Sequence, residues 1–411
     1  MKKEAVTQLK KPNSFVYAIF KIASKFASKF IYNLKIGKNE LNGTKGRRVV
    51  IVNHESAIDF LFVGASINEK AHMVVSKSFY QSIPSMYPLL KNSGAIPKNQ
   101  FQTSITDMRL MKQAVESERP LILYPAGLMT ESGEATVVPY ATGKTLKWLD
   151  ADIYLAKISG SYLTKPKWSN IKRKGKITID ITKFMTREEV DNLDSDQLQK
   201  AVEKALYFDA YKNNENNKVA YKNGDNVEGL EHVLFRCTKC GKEYGLQVKN
   251  KNTLLCDACG LKLTADNYGL FTVENGNDPD YKYVSKIYRK IILDYAKEIE
   301  GNDNFNLSTN AQVHMINGKK HKFVPVGNAK ITLNKTELVL DGNINGKPFY
   351  KELFAGSYPM LPFVPGKRFE IQDGNTIYRI LPEDPKCVTK WINAFKTLFY
   401  LNKGLPLENN V

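Results

Sequence analysis

The chain has 411 residues, of which 42% are hydrophobic, so two or three domains with ordinary cores are expected. Its formal charge of +18 calls for an anionic partner, either lipid or nucleic acid. No apolar run is long enough to cross a bilayer and no signal peptide is visible, so a secreted or membrane-spanning chain is excluded and a cytoplasmic, peripheral one expected.

Residues 1–50 hold twelve Lys or Arg against Glu4 and Glu40, which is +10 of the total. From Phe15 to Leu34, the residues Phe15, Ile19, Ile22, Phe26, Phe30 and Leu34 recur at steps of three and four. Lys21, Lys25 and Lys29 share the other side with Ser24 and Ser28. The pattern predicts a basic amphipathic helix, and its aromatic face suits a membrane interface better than nucleic acid. Residues 1–44 are therefore read as a membrane-surface segment.

Residues 48–186 alternate apolar runs with amphipathic stretches, the pattern of an α/β fold, within a domain bounded at 45–212. Strands are expected at Arg48–Val52, Ala71–Ser76, Gly94–Pro97, Leu121–Tyr124, Ile153–Ile158 and Lys176–Ile181. Helices are expected at Ser56–Ile67, Thr103–Ser117 and, more polar, Thr186–Tyr211. Residues 213–231, rich in Asn, Lys and Gly, read as a linker. A cysteine-bearing module follows at 232–272, then a connecting helix (Tyr281–Ile299) within 273–308. Residues 309–403 carry short alternating strands at Lys322–Val326, Ala329–Leu333, Glu337–Leu340, Phe349–Leu353, Arg368–Gln372 and Thr376–Leu381, closed by a helix at Pro385–Leu401. Strands closed by one C-terminal helix resemble a pleckstrin-homology-like (PH-like) barrel, with Lys319, Lys320, His321 and Lys322 as a basic cluster before the first strand. Such a domain implies a lipid or protein ligand.

The chemistry begins directly after the first strand, at Asn53-His54-Glu55-Ser56-Ala57-Ile58-Asp59. Sheets of this class place reacting groups at strand carboxyl ends. There an imidazole can take a proton near neutral pH while a carboxylate fixes its tautomer. His54-Glu55 does not open a zincin, because Ile58 stands where a second His is needed. Downstream come Lys77 with Ile83-Pro84, then Gly94-Ala95-Ile96-Pro97, Tyr124-Pro125-Ala126-Gly127 and Ser159-Gly160-Ser161. This ordered series, over roughly 45–200, resembles the glycerolipid acyltransferase family that includes 1-acylglycerol-3-phosphate O-acyltransferases.

The resemblance implies a mixed sheet flanked by helices and an O-acyltransferase. His54 would be the general base and Asp59 its orienter, with Lys77, Gly94, Lys98, Tyr124, Pro125 and Gly127 in the substrate site. It also implies membrane lipid as acceptor and an acyl-CoA or acyl-carrier-protein thioester as donor, with the carrier protein as a partner. The family's Phe-Pro-Glu-Gly-Thr-Arg loop is altered here, Ala126 replacing the Glu and Met129 the Arg. Its later basic residue falls on Gln100. A charge-assisted phosphate contact is thereby lost, so the acceptor differs or is held by Lys77 and Lys98. The same changes motivate an alternative reading, a catalytically silent lipid-binding adaptor.

Cys237-Thr-Lys-Cys240-Gly241 and Cys256-Asp-Ala-Cys259-Gly260 have the spacing of a four-thiolate zinc ribbon. Four protein ligands leave no open position, so the zinc is expected to be structural. Acidic neighbours dilute the local charge, and nucleic acid is not the expected partner.

Overall fold

A computed structural model describes residues 8–101, 104–222, 226–274, 276 and 278–407, the side chains of Gln81 and Ser82 excepted. Lys2, Lys3 and Glu4 of the basic block lie outside the described residues. The chain divides into two compact units that interleave in sequence. One is drawn from Met1–Thr130, Val138–Thr164 and Lys174–Phe208, the other from Glu131–Val137, Lys165–Arg173 and Asp209–Val411.

In the first unit the described residues form one seven-stranded sheet. Its strands are β1 (Leu34–Asn39), β2 (Arg48–Val52), β3 (His72–Ser76), β4 (Ile96–Lys98), β5 (Leu121–Leu123), β6 (Asp152–Ser159) and β7 (Ile177–Met185). They lie in the order β1-β7-β6-β2-β5-β3-β4. Neighbours are parallel except β6 and β7, so the sheet is mixed. All of β2 is buried, which is why its sequence reads as an unbroken apolar run.

Val49 and Ile51 point into one core with Leu110, Met111, Leu146, Leu198 and Val202. Val50 and Val52 point into the other with Phe62, Val63, Ile122 and Ile179. The helices that supply these side chains are among α1 (Ser14–Phe26), α2 (Asp59–Ser66), α3 (Lys77–Ser82), α4 (Tyr87–Asn92), α5 (Ile105–Glu116), α6 (Ala141–Leu149), α7 (Ser161–Thr164), α8 (Arg187–Asn192) and α9 (Ser195–Leu206).

Three expectations need correction. The N-terminal helix does not reach Leu34: α1 passes into a π-turn at Ala27–Ile31, and Asn33 at φ 50° turns the chain into β1. The polar helix Thr186–Tyr211 is broken, because Asp194 caps α9 and Asp209 caps the next helix, α10 (Ala210–Asn217). Each side chain accepts hydrogen bonds from amides that a continuous helix would have turned to the preceding carbonyls. The third concerns the C-terminal sheet, described below.

The placement of α1 reverses the usual logic of an amphipathic helix. The serines of its expected wet side face inward: Ser24 of α1 and Ser28 of the π-turn are buried, and the Ser28 hydroxyl donates to the Leu61 carbonyl. A Cβ on Gly64 of α2 would come within 2.8 Å of Phe20 and 3.2 Å of Ser24 Oγ, so small residues permit the close approach. Phe15, Ile19, Ile22, Phe26 and Phe30 face outward, between 49% and 74% exposed.

In the second unit α10 and buried Tyr221, Val227 and Leu230 occupy the stretch read as a linker. A four-stranded antiparallel sheet follows, β8 (Leu246–Asn250), β9 (Thr253–Cys256), β10 (Lys262–Ala265) and β11 (Phe271–Val273). After α11 (Val284–Gly301) come β12 (Asn306–Asn317), β13 (Lys322–Asn334), β14 (Glu337–Ile344), β15 (Lys347–Phe354), β16 (Phe363–Val364), β17 (Arg368–Asp373) and β18 (Thr376–Pro382). These strands pair antiparallel in the order β15-β14-β13-β12-β18-β17-β16. The final helix, α12 (Val388–Asn402), buries Trp391, Ile392, Phe395 and Leu398.

The sequence carries no alternating signal at the start of β12, because Asn-Leu-Ser-Thr-Asn-Ala-Gln is polar on both faces. The cluster Lys319–Lys322 therefore sits at the turn of the β12–β13 hairpin and not before the first strand. One strand, β13, also replaces the two expected across 322–333.

Candidate active site and candidate metal centre

β6, β2 and β5 are adjacent and parallel, so their carboxyl ends open side by side. The loops leaving them carry Ser161, Asn53 to Asp59, and Tyr124 to Gly127. Asn53 fixes the first two loops, its amide donating to the Ile158 carbonyl (2.9 Å) and its carbonyl accepting from the Ile158 amide (2.7 Å).

His54 Nδ1 lies 2.9 Å from Asp59 Oδ2. Asp59 has no exposed surface and opens α2, where an anion is favoured by the free amides of the first turn. The same oxygen accepts the amides of Glu55 (2.8 Å) and Ser56 (2.9 Å), while Oδ1 accepts the Ser161 hydroxyl at 2.5 Å. A carboxylate held by so many donors stays an acceptor. It therefore fixes the proton on Nδ1 and leaves the Nε2 lone pair as the free basic position of the ring. The His54 side chain is 21% exposed and borders a cavity of about 410 Å³, within the size range of small-molecule sites.

The rest of that cavity's wall is mostly apolar, including Phe20, Phe60, Met73, Phe79, Leu90 and Met129. Lys98, Tyr124, Pro125 and Gly127 also line it, whereas Lys77 and Gly94 do not. Burial lowers the pKa of both Lys77 and Lys98. Lys98 Nζ donates to the Asn99 carbonyl at 3.2 Å. Gly94, at φ 79°, makes a turn whose carbonyl accepts a hydrogen bond from His72 Nδ1 (2.8 Å). The Tyr124 ring packs on His54, centroids 4.5 Å apart, and burial pushes its phenol pKa well up. Gln100, standing where a basic residue was sought, donates to the Gly127 carbonyl at 2.6 Å. It braces the altered loop and replaces none of the missing charge.

Two residues at this site escaped the sequence reading as participants. Ser161 is more than a hundred residues from Asp59, and only sheet order brings them together. Glu55 reads as filler between His54 and Asp59, yet it is fully buried and its carboxylate accepts the Tyr162 amide at 2.9 Å. Burial, then the charge of Asp59, raise its pKa from 4.5 to about 8. A carboxyl whose folded pKa is raised holds its proton better when folded. Its stabilisation is complete below pH 4.5 and is lost as pH rises through about 8. Thermal unfolding followed between pH 5 and 8.5 is expected to show a falling Tm that Glu55→Gln flattens.

In the second unit Cys237, Cys240, Cys256 and Cys259 bring their sulfurs within 4.8 Å of one another. Cys237–Cys259 and Cys240–Cys256 are each 3.7 Å apart. A tetrahedron with Zn–S bonds of about 2.3 Å has edges of about 3.8 Å, which those two separations match, so the donor set suits zinc. Gly241 and Gly260 follow the knuckles at φ 76° and 70°, which a side chain would strain.

Residues 33–156 match the acyltransferase family model, a stretch that holds His54 and Asp59 and ends before Ser161. Among solved structures, the chain is similar to the 1-acyl-sn-glycerophosphate (LPA) acyltransferase PlsC from Thermotoga maritima, at 14% identity and a TM-score of 0.41. That similarity covers 47% of this chain and 77% of the other. No curated protein sequence matches.

Proposed function

We propose that this protein is a membrane-associated O-acyltransferase that moves an acyl chain from a CoA or carrier-protein thioester to a hydroxyl of a lysophospholipid or related glycerolipid. The observation that carries the reading is the His54–Asp59 pair, its Nδ1 engaged and its Nε2 free, at the wall of an apolar cavity in an acyltransferase domain. Nε2 takes the proton of the acceptor hydroxyl as the oxygen attacks the thioester carbonyl. The tetrahedral adduct collapses, the C–S bond breaks, and the imidazolium returns the proton to the departing thiolate. Asp59 stabilises the cation between these events. The apolar wall takes the acyl chain, and Lys98 is the cation nearest to hand for an anionic head group. The four-cysteine cluster holds a structural zinc on this reading.

The test is thiol release by the purified protein, given acyl-CoA or acyl carrier protein together with a panel of lysolipids. Esterified lipid and free thiol are expected in equal amounts; thiol release without esterified lipid, or none at all with every acceptor, refutes the reading.

The outward aromatic stripe of α1 and the turn after it, with exposed Lys25 and Lys29 in the same stretch, suits an anionic bilayer surface. Replacing Phe26 or Phe30 by Glu is expected to weaken sedimentation with vesicles containing anionic phospholipid by about 10-fold or more, because each ring forfeits about 1.5–3 kcal/mol of burial. Binding should also fall as salt rises, and unchanged binding by the double variant removes the helix from the membrane contact.

A further inference from the structure

The hydrogen bonds around Asp59 do not end at Ser161. The Ser161 hydroxyl can reach Asp59 only if the turn after β6 holds its shape, and that turn is drawn round a buried carboxyl. Gly160 adopts φ 91°, and, two residues on, the Tyr162 amide donates to Glu55 Oε2 at 2.9 Å. Glu55 thus gives the turn a buried acceptor from within the chain. Its other oxygen, Oε1, has no hydrogen-bond partner among the described residues. The chain therefore runs from Glu55 to the turn, from the turn through Ser161 to Asp59, and from Asp59 to His54.

We propose that Glu55 is a positioning residue of the His54 site: it holds the Gly160–Tyr162 turn so that Ser161 fixes Asp59, and with it the tautomer and aim of the imidazole. This rests on the acyl-transfer reading for its kinetic consequence but not for its geometry. Glu55 does not line the cavity beside His54 and takes no part in proton transfer. The requirement is for an acceptor at this point, which an amide oxygen can supply and a methyl group cannot.

The experiment compares full-length wild type with Glu55→Ala, Glu55→Gln and Ser161→Ala by two readouts. The first needs no substrate: the downfield Nδ1 proton resonance of His54 in protein labelled with ¹⁵N-histidine, assigned by its loss in His54→Ala. Wild type and Glu55→Gln are expected to show it, whereas Glu55→Ala and Ser161→Ala lose it. The second is steady-state kinetics, where Glu55→Ala should lower kcat about 10²-fold, the cost of a misplacement of about 1 Å, with KM for the thioester within about twofold. Glu55→Gln should restore kcat to within about threefold of wild type, which bulk destabilisation would not explain. If Glu55→Ala does not fold, the resonance in Ser161→Ala and Glu55→Gln decides. The proposal is overturned if Ser161→Ala keeps the resonance, or if a folded Glu55→Ala keeps both resonance and kcat. Failure of the acyl-transfer reading would appear separately, as a wild type that shows the resonance and transfers no acyl group.

Discussion

Replacing His54 by alanine is expected to lower acyl transfer by about 10²–10⁴ while leaving KM for the thioester within a few-fold, because the imidazole serves the transition state and not ground-state binding. With its Nδ1 proton held by Asp59, which is fully buried and holds four donors, the ring presents its free lone pair at Nε2 without any rearrangement. What survives in the variant is positioning by the apolar wall and by whatever donors meet the thioester oxygen. Asp59→Asn should fall nearly as far for a different reason. An amide can turn its NH₂ toward Nδ1, which then accepts, and the proton moves to Nε2 where the base is needed. Rates measured with a saturating donor and a single lysolipid decide this, and a His54→Ala variant with wild-type turnover ends the general-base mechanism.

The second large effect concerns the cysteine cluster. Strong chelation, or Cys256→Ser, is expected to unfold the small sheet β8–β11. Its own core is little more than Leu246, Leu254, Leu263 and Phe271, and metal binding of this kind supplies about 10–16 kcal/mol in isolated zinc modules. The damage should travel within the second unit. Arg236, next to the first knuckle, pairs with Glu298 of α11, and Glu243, three residues past Cys240, accepts from Lys390 of α12 at 2.7 Å. Hydrogen exchange should therefore accelerate in α11 and α12 as well as in the ribbon. Full protection with chelator present, and one zinc per chain never found by metal analysis, would refute the metal centre.

How much of this could be read from the sequence depended on where each signal lay. β2 was legible to the residue, since Arg48–Val52 is buried on both faces and nothing else explains such a run. His54, Asp59 and the four cysteines were legible because their spacing is local. Strand β1 was not: Leu-Lys-Ile-Gly-Lys-Asn is an edge strand with four exposed central residues, so its pattern merges with the helix before it. The break at Asp194 was legible in principle, as an Asp followed three residues later by Gln197, but the helical period on both sides hid it. Ser161 and Glu55 lay beyond any spacing rule, because a partnership between them and Asp59 exists only once β6 lies beside β2. The fate of the serines on α1 is of the same kind. Ser24 and Ser28 look like the wet side of the helix until Gly64 offers a surface close enough to exclude water.

The interleaving of the two units has a practical corollary. Glu131–Val137 and Lys165–Arg173 are flanked on both sides by the first unit, yet they are packed in the second. There Glu131 meets Lys167 at 3.4 Å and accepts from the Tyr288 hydroxyl of α11 at 3.0 Å. Cutting the gene after Phe208 would therefore not release a self-sufficient enzyme. It would leave two loops, one starting two residues after Met129 and the other four after Ser161, with their buried charges stripped of company. Recombination between relatives faces the same obstacle. A C-terminal half borrowed from another chain would have to bring along its own matching 131–137 and 165–173.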